Sequence, residues 1–365
     1  MSYAFRVRMV KGPANVIVKG PCHILGSNVS GQTIRVRAGK ALPFEPGDRC
    51  RLKAQLGYGA SIWWANSDEA GTSMWRRLIP QVLSASSDSK KSTVMLVGDT
   101  DTGKSTLTIY LANMAIRRGQ FPAIIDGDIG QGDLAPPAAI GAAILSKQVT
   151  DLRDVDSSMF EFIGSISPVG LEKFIATKLS SMLERMSQVT SIILVNTDGY
   201  VRNGGVDYKA MIAQELKPNV IISLDKDDML FDALKTGPWR ILRASPSSQT
   251  YKSKFERLSR RLDQLLRYVG NKSYTADMSR LRFVYLGRFF SASELLLHPS
   301  PDLLRPEDMK DMFVGLGSNG KVKGFGIIMN VSLARSILNL QTDVNSFDTV
   351  YVSNVRVNSY TATDI

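Results

Sequence analysis

Histidine and cysteine are scarce in this sequence. Two histidines, His23 and His298, stand far apart in a chain of 365 residues, too few for an imidazole metal cluster. Two cysteines, Cys22 and Cys50, cannot make a disulfide framework and read as reduced thiols of a cytoplasmic protein. No run of 18 or more apolar residues occurs, so no transmembrane helix and no membrane partner are expected. The opening stretch "MSYAFRVRMVKG" lacks the apolar core of a signal peptide. Internal repeats and low-complexity tracts are also missing. What remains is an ordinary globular composition, 44% hydrophobic and 22% charged, long enough for two or three domains.

Charge is unevenly spread. The net charge is +11, from 45 Lys and Arg against 34 Asp and Glu. Between Lys235 and Lys272 ten basic residues face two acidic ones, Glu256 and Asp263, so this window alone carries +8. A local excess of this kind predicts a surface that meets a polyanion, against the plainer alternative of a solvated helix face.

Residues 1–67 read as a β-rich domain: "FRVRMV", "NVIVKG" and "TIRVRAG" alternate or are β-branched, with Gly, Pro and Asn between them. Residues 68–92 read as a linker with a short helix around Trp75–Leu83, kinked or broken by Pro80. From 93 to 270 strands alternate with helices, which predicts an α/β domain with a mostly parallel sheet covered on both faces. Residues 271–365 return to β, with "GSNG" as a hairpin turn. The expected fold is a central P-loop NTPase domain flanked by N-terminal and C-terminal β-rich domains.

The P-loop is "GDTDTGKST", residues 98–106, directly after the apolar run "TVMLV" and before a helix. Gly98-x-x-x-x-Gly103-Lys104-Ser105 is the spacing that lets backbone N–H groups curl around a phosphate at a helix N-terminus. Gly98, Asp99, Thr100, Asp101, Thr102, Gly103, Lys104, Ser105 and Thr106 are therefore the expected nucleotide cradle. Lys104 would reach the β- and γ-phosphates, and the Ser105 hydroxyl would ligate Mg²⁺. A nucleoside triphosphate and Mg²⁺ are the ligands this motif leads one to expect; the choice of ATP comes with the resemblance below. The next strand ends "IIDGDIGQGD", which puts Asp126 and Asp128 at the carboxyl end of a parallel strand, where α/β proteins bind ligands. Carboxylates there hold Mg²⁺ or take a proton from a nucleophile. Asp198, after the apolar run "ILVNT", is placed like a Walker-B carboxylate, so Ser105, Asp126 and Asp198 form the expected metal set.

The segment from Tyr251 carries Phe255, Leu258, Leu262, Leu265, Leu266 and Val269 on one helical face. Arg257, Arg260, Arg261 and Arg267 fall opposite. Such arginines neutralise charge on a transferred phosphoryl group or bind nucleic-acid phosphates.

Taken in order, these motifs resemble the RNA 5′-hydroxyl kinases of pre-mRNA cleavage, tRNA splicing and ribosomal RNA processing, and an archaeal member most closely. "GDTDTGKST" is similar to that family's P-loop, "DIGQGDLAPPAA" to its Asp-x-Gly-Gln segment, "FIGSISP" to a Gly-x-x-Ser-Pro stretch, and "VNTDGYVRNGG" to its Asn-Thr-x-Gly-Trp clasp. The arginine-rich helix falls where that family has its lid. Tyr200 stands where the family usually has Trp, and Ala138 where it has Gly.

The resemblance implies transfer of the γ-phosphate of ATP to the 5′-hydroxyl of RNA, with DNA as a second candidate acceptor and RNA-processing proteins as candidate partners. It implies Lys104, Asp128, Arg257 and Arg261 as catalytic residues, Asp128 beside the incoming hydroxyl. Gln131, Ser167, Thr197, Gly199, Tyr200 and Arg260 would contact the RNA. Three other readings stand beside it: an ATP-binding scaffold subunit, a nucleic-acid-dependent ATPase, and a GTPase-like switch, the last because "SLDKDD" approximates a guanine-reading motif with Asp225 in place of Asn.

Overall fold

The computed structural model describes residues 6–84, 91–245, 252–291, 306–358 and 361–364. Residues 85–90 of the expected linker, together with Tyr251 and His298, lie outside them. The chain divides into two compact units: residues 1–126, 143–156 and 179–257 form one, and residues 127–142, 157–178 and 258–365 the other. This division does not follow the four-part partition expected from sequence, because the central segment contributes to both units.

The first unit begins with two small antiparallel sheets. In one, Arg6–Lys11 lies between Ala41–Pro46 and Ser61–Asn66. In the other, Ala14–Lys19 lies between Thr33–Val36 and Arg51–Leu56. Residues of "ANVIVK" alternate buried and exposed, the period of a strand with one wet face. Helix α1 (Thr72–Ser84) runs through Pro80 without a break. Loss of one backbone bond at proline is offset by the buried stripe Trp75, Leu78, Ile79 and Val82.

The phosphate-binding strand of this unit, Ser92–Gly98, lies between Ile192–Thr197 and Val220–Leu224, parallel to both. Arg240–Arg243 extends the sheet in parallel beyond Val220–Leu224. These central strands are almost wholly buried, as their near-continuous apolar sequence requires when helices cover both faces. Five helices accompany the α/β pattern: α2 (Lys104–Ile116), α3 (Glu172–Ser187), α4 (Gly205–Leu216), α5 (Met229–Leu234) and α6 (Lys254–Tyr268). Asn113, fully buried on α2, ties that helix to the N-terminal sheets: its Nδ2 donates to the carbonyls of Leu25 and Val149, both at 2.8 Å, and its Oδ1 accepts from Val149 N.

The second unit contains an antiparallel pair, Ala139–Ile144 with Met159–Phe162, whose register pairs Ala139 with Phe162. Sequence reading missed both strands. "AIGAAI" has little β-branching to mark it, and Ala and Gly are poor strand formers. The C-terminal segment builds the large β sheet of this unit, with Met312–Ser318 between Lys321–Ser332 and Thr349–Asn358. The expected hairpin is present: Asn319 and Gly320 take φ 53° and 71°, and Ser318 pairs with Lys321. Positive φ at both central residues is the turn whose twist matches two antiparallel strands. Phe162, Phe313, Phe325, Ile327, Val355 and Leu265 of α6 pack into one cluster.

Candidate active site

In the first unit, Gly98 leaves its strand at φ 155°, where a Cβ would meet the Leu224 carbonyl at 2.6 Å. Only glycine fits that approach. Gly103 enters α2 at φ 95°. Between them the loop folds on its own lysine: Lys104 Nζ donates to the carbonyls of Gly98 at 2.9 Å and Asp99 at 2.7 Å. Thr102 Oγ1 also donates to the Asp99 carbonyl, at 2.9 Å. The ammonium is buried, so these carbonyls satisfy what water cannot reach.

Behind the loop, Asn196 joins two expected metal residues. Its Nδ2 donates to Asp126 at 2.9 Å and to Ser105 Oγ at 3.2 Å. Its own Oδ1 is buried without a hydrogen-bond partner. Among the described residues no three His, Cys, Asp or Glu side chains group as a metal cluster. The oxygen set of Ser105, Asp126 and the unsatisfied Asn196 Oδ1 nevertheless suits a hard cation such as Mg²⁺, which takes few protein ligands and completes its shell with phosphates and water. Asn196 was not singled out from sequence, although "VNT" placed it one residue before the clasp threonine.

Asp198, expected in the metal set, is engaged by donors of the protein itself. Its carboxylate accepts from Lys209 Nζ at 2.7 Å, Tyr208 Oη at 3.1 Å and the Tyr200 backbone N–H at 2.8 Å. Lys209 is completely buried, so its charge depends on this partner. With three donors on its carboxylate, Asp198 braces the segment that follows its strand. The clasp itself lies against the phosphate loop: a Cβ on Gly199 would meet Thr100 Cγ2 at 2.4 Å and Thr100 N at 2.7 Å. Thr197 Oγ1 donates to the Leu96 carbonyl. Tyr200 is half-buried and donates its hydroxyl to the Asn203 carbonyl.

Asp101 links the loop to the start of the lid. At φ 60° it turns its carboxylate to accept from Lys252 N at 3.1 Å, Lys252 Nζ at 3.0 Å and Arg257 Nη2 at 2.7 Å. Burial pushes this carboxyl up, but Lys252 and Arg257 outweigh it and hold it below the ordinary carboxylate value.

In the second unit, Asp128 Oδ1 accepts from the backbone N–H groups of Gly130 at 3.1 Å and Gln131 at 2.8 Å, a turn closed by the side chain. Gly130 brings this turn against the loop of Ser167: a Cβ there would meet the Ile166 carbonyl at 3.1 Å. Arg260, expected to face RNA, is instead buried, with Nη2 at 2.6 Å from Asp133. Gln264 beside it donates to the carbonyls of Asp133 and Ala135. The inner face of α6 is thus the polar stripe Arg260–Gln264 together with Leu265, while Phe255 and Leu266 of the expected apolar face are 78% and 53% exposed. Leu265 and Val269 are buried and Leu258 and Leu262 half-buried, so paired hydrogen bonds added Arg260 and Gln264 to the buried side that hydrophobic spacing predicted. Arg261 is half-buried. Ala138 adopts φ 67° and accepts from the N–H groups of Ile163 and Gly164 through its carbonyl. That left-handed backbone explains why glycine is the usual choice there. Asp225 of the guanine-like motif caps α5, accepting from Leu230 N at 2.8 Å, which fits the plain loop reading.

Residues 98–271 match the family described as mRNA cleavage and polyadenylation factor CLP1 P-loop. That match begins at the first P-loop glycine, Gly98, and makes this part of the chain similar to that family. A polyribonucleotide 5′-hydroxyl-kinase of Pyrococcus abyssi is 38% identical over 146 residues, 40% of this chain and 41% of the relative. One of Pyrococcus horikoshii is 34% identical over 187 residues, 51% and 52% respectively. The chain spans about half the length of the curated relatives it matches. A solved Clp1p–Pcf11p complex superposes over 97% of this chain and 96% of that one, with a TM-score of 0.73 at 14% identity. The chain therefore shares the Clp1 fold, a P-loop domain with β-rich N-terminal and C-terminal regions.

Proposed function

We propose that this protein is an ATP-dependent polynucleotide 5′-hydroxyl kinase acting on RNA. The observation that carries the reading is the seating of clasp Gly199 directly on Thr100 of the phosphate loop. An element built to hold an acceptor strand then meets the element built to hold a triphosphate, as proximity catalysis demands.

The chemistry is a single displacement. The 5′ oxygen of the acceptor forms a bond to the γ-phosphorus, the bond from that phosphorus to the bridging oxygen breaks, and ADP leaves with the electron pair. Asp128 accepts the hydroxyl proton. Lys104 Nζ leaves the carbonyls of Gly98 and Asp99 for the β- and γ-phosphates. Arg257, and Arg261 beyond it on α6, neutralise charge on the transferred group. Thr197, Gly199 and Tyr200 hold the terminal nucleotide, with the tyrosine ring as a stacking face in place of tryptophan, and Gln131 and Ser167 contact the strand. Ser105 and Asp126, oriented by Asn196, would hold Mg²⁺, which when bound offsets the negative charge of the phosphates. DNA is a second acceptor in this reading, and assembly with RNA-processing proteins and a cytoplasmic location go with it.

The test supplies γ-labelled ATP with 5′-hydroxyl RNA or DNA and follows the label. Label at the 5′ end of the RNA supports the kinase, whereas free phosphate alone would make this an ATPase. Asp128→Asn should lower kcat about 10²-fold or more with ATP affinity kept. Normal turnover of that variant beside a dead Asp126→Asn would move the base to Asp126.

A further inference from the structure

The second unit holds an open cleft of about 490 Å³ that none of the residues given a role in the proposed reaction lines. Its walls come from Phe160, from Arg267 and Tyr268 of α6, from Lys323 to Phe325, and from residues 343–346 after the Ile337–Gln341 strand. Three of these rings form an edge-to-face triangle. Phe160 lies 5.7 Å from Tyr268 and 5.1 Å from Phe325 between centroids, and Tyr268 lies 5.8 Å from Phe325. Phe325 is fully buried, whereas Phe160 and Tyr268 are half-buried and so expose ring surface.

The site is rigid. The Tyr268 hydroxyl donates to the Leu134 carbonyl at 2.7 Å, which fixes the ring. Thr342 Oγ1 donates to the Phe325 carbonyl at 2.7 Å and accepts from Val344 N at 3.0 Å. Lys323 Nζ donates to the Ser346 carbonyl at 3.1 Å, closing the loop from the other end. The rim is basic. The Arg267 guanidinium sits 5.1 Å from the Tyr268 centroid, and the exposed Lys323 stands on the neighbouring strand. Lys272 and Lys321 are exposed close by in the chain, and Asp343 is the one carboxylate lining the cleft.

Aromatic walls with a mostly cationic rim match a ligand that carries a flat base and a phosphate. The volume lies in the range of small-ligand sites. We propose that this cleft is an accessory subsite for an internal nucleotide of single-stranded RNA. The base stacks on the exposed ring surface, Arg267 and Lys323 meet the backbone phosphates, and Asp343 and Asn345 offer polar groups to the base edge or the 2′-hydroxyl. The inference rests on the RNA-kinase reading for the identity of the polyanion.

The test measures binding of a 5′-phosphorylated 12-nucleotide RNA, which needs no catalysis, alongside turnover on a 5′-hydroxyl dinucleotide. For Lys323→Ala the slope of log affinity against log salt should fall in magnitude by about 0.7, the single-strand value for one lost phosphate contact. For Phe160→Leu the 12-mer should bind roughly tenfold more weakly, the scale of one lost stack. Dinucleotide turnover should stay at the wild-type level in both. Unchanged 12-mer affinity and salt slope would overturn the proposal, as would equal losses on both substrates. Binding of free AMP in the cleft without displacement of the 12-mer would also overturn it, in favour of a mononucleotide site. If the wild type phosphorylates nothing but the binding differences hold, the kinase reading fails and the subsite stands.

Discussion

Arg257 and Arg260 stand one helical turn apart on α6 and do different work. Arg257 is 26% exposed and shares the carboxylate of Asp101 with Lys252. Arg260 is 9% exposed, and its partner Asp133 is 1% exposed. A guanidinium with a wet edge and a shared anion can exchange partners when a triphosphate arrives. One sealed against a buried carboxylate cannot, because separation leaves two charges without water. In the proposed mechanism the arginine-rich face of α6 is therefore split between a charge that moves for chemistry and one fixed for architecture, and sequence alone gives both the same appearance.

The sharpest way to break that comparison is to remove each arginine. Arg260→Ala removes an ion-pair partner from the buried Asp133 and should lower unfolding stability by about 3–5 kcal/mol, measured by denaturant melts. A loss below about 1 kcal/mol would mean that Asp133 is hydrated or protonated and that the two arginines are alike. Arg257→Ala should leave the melt nearly unchanged and lower kcat about 10²-fold, more than it weakens ATP binding. Weaker RNA binding at unchanged kcat would make Arg257 a plain phosphate contact. The smallest effect concerns the backbone that carries Asp133 and its neighbours. Ala138→Gly should stabilise the protein by about 1 kcal/mol by relieving left-handed strain, and a destabilised variant would show that the alanine methyl packs for more than the strain costs.

The fold was legible where the sequence pattern is periodic and each residue does one thing. The apolar strands "TVMLV" and "IILVN", the P-loop and the Asn-Gly hairpin declared themselves through burial or through backbone that glycine and asparagine favour. Legibility failed where polar pairing replaced hydrophobic spacing. Asp133, Asp198 and Asn196 owe their roles to partners brought from elsewhere in the chain: Arg260 is 127 residues from Asp133, and Asn196 is 91 residues from Ser105. A helical wheel cannot foresee such pairs, so it placed Arg260 on the wet face of α6 although it is buried. Likewise, nothing in "NTDG" announces that Lys209 will be buried beside Asp198.

The central claim is that Lys104 moves from its own loop carbonyls to the phosphates of ATP and makes transfer to a 5′-hydroxyl possible. It is tested most directly by following γ-label from ATP onto 5′-hydroxyl RNA with wild-type protein and with Lys104→Ala, each checked for an unchanged melt. The account predicts labelled RNA from the wild type and none above background from the variant. Wild-type turnover in Lys104→Ala would contradict it.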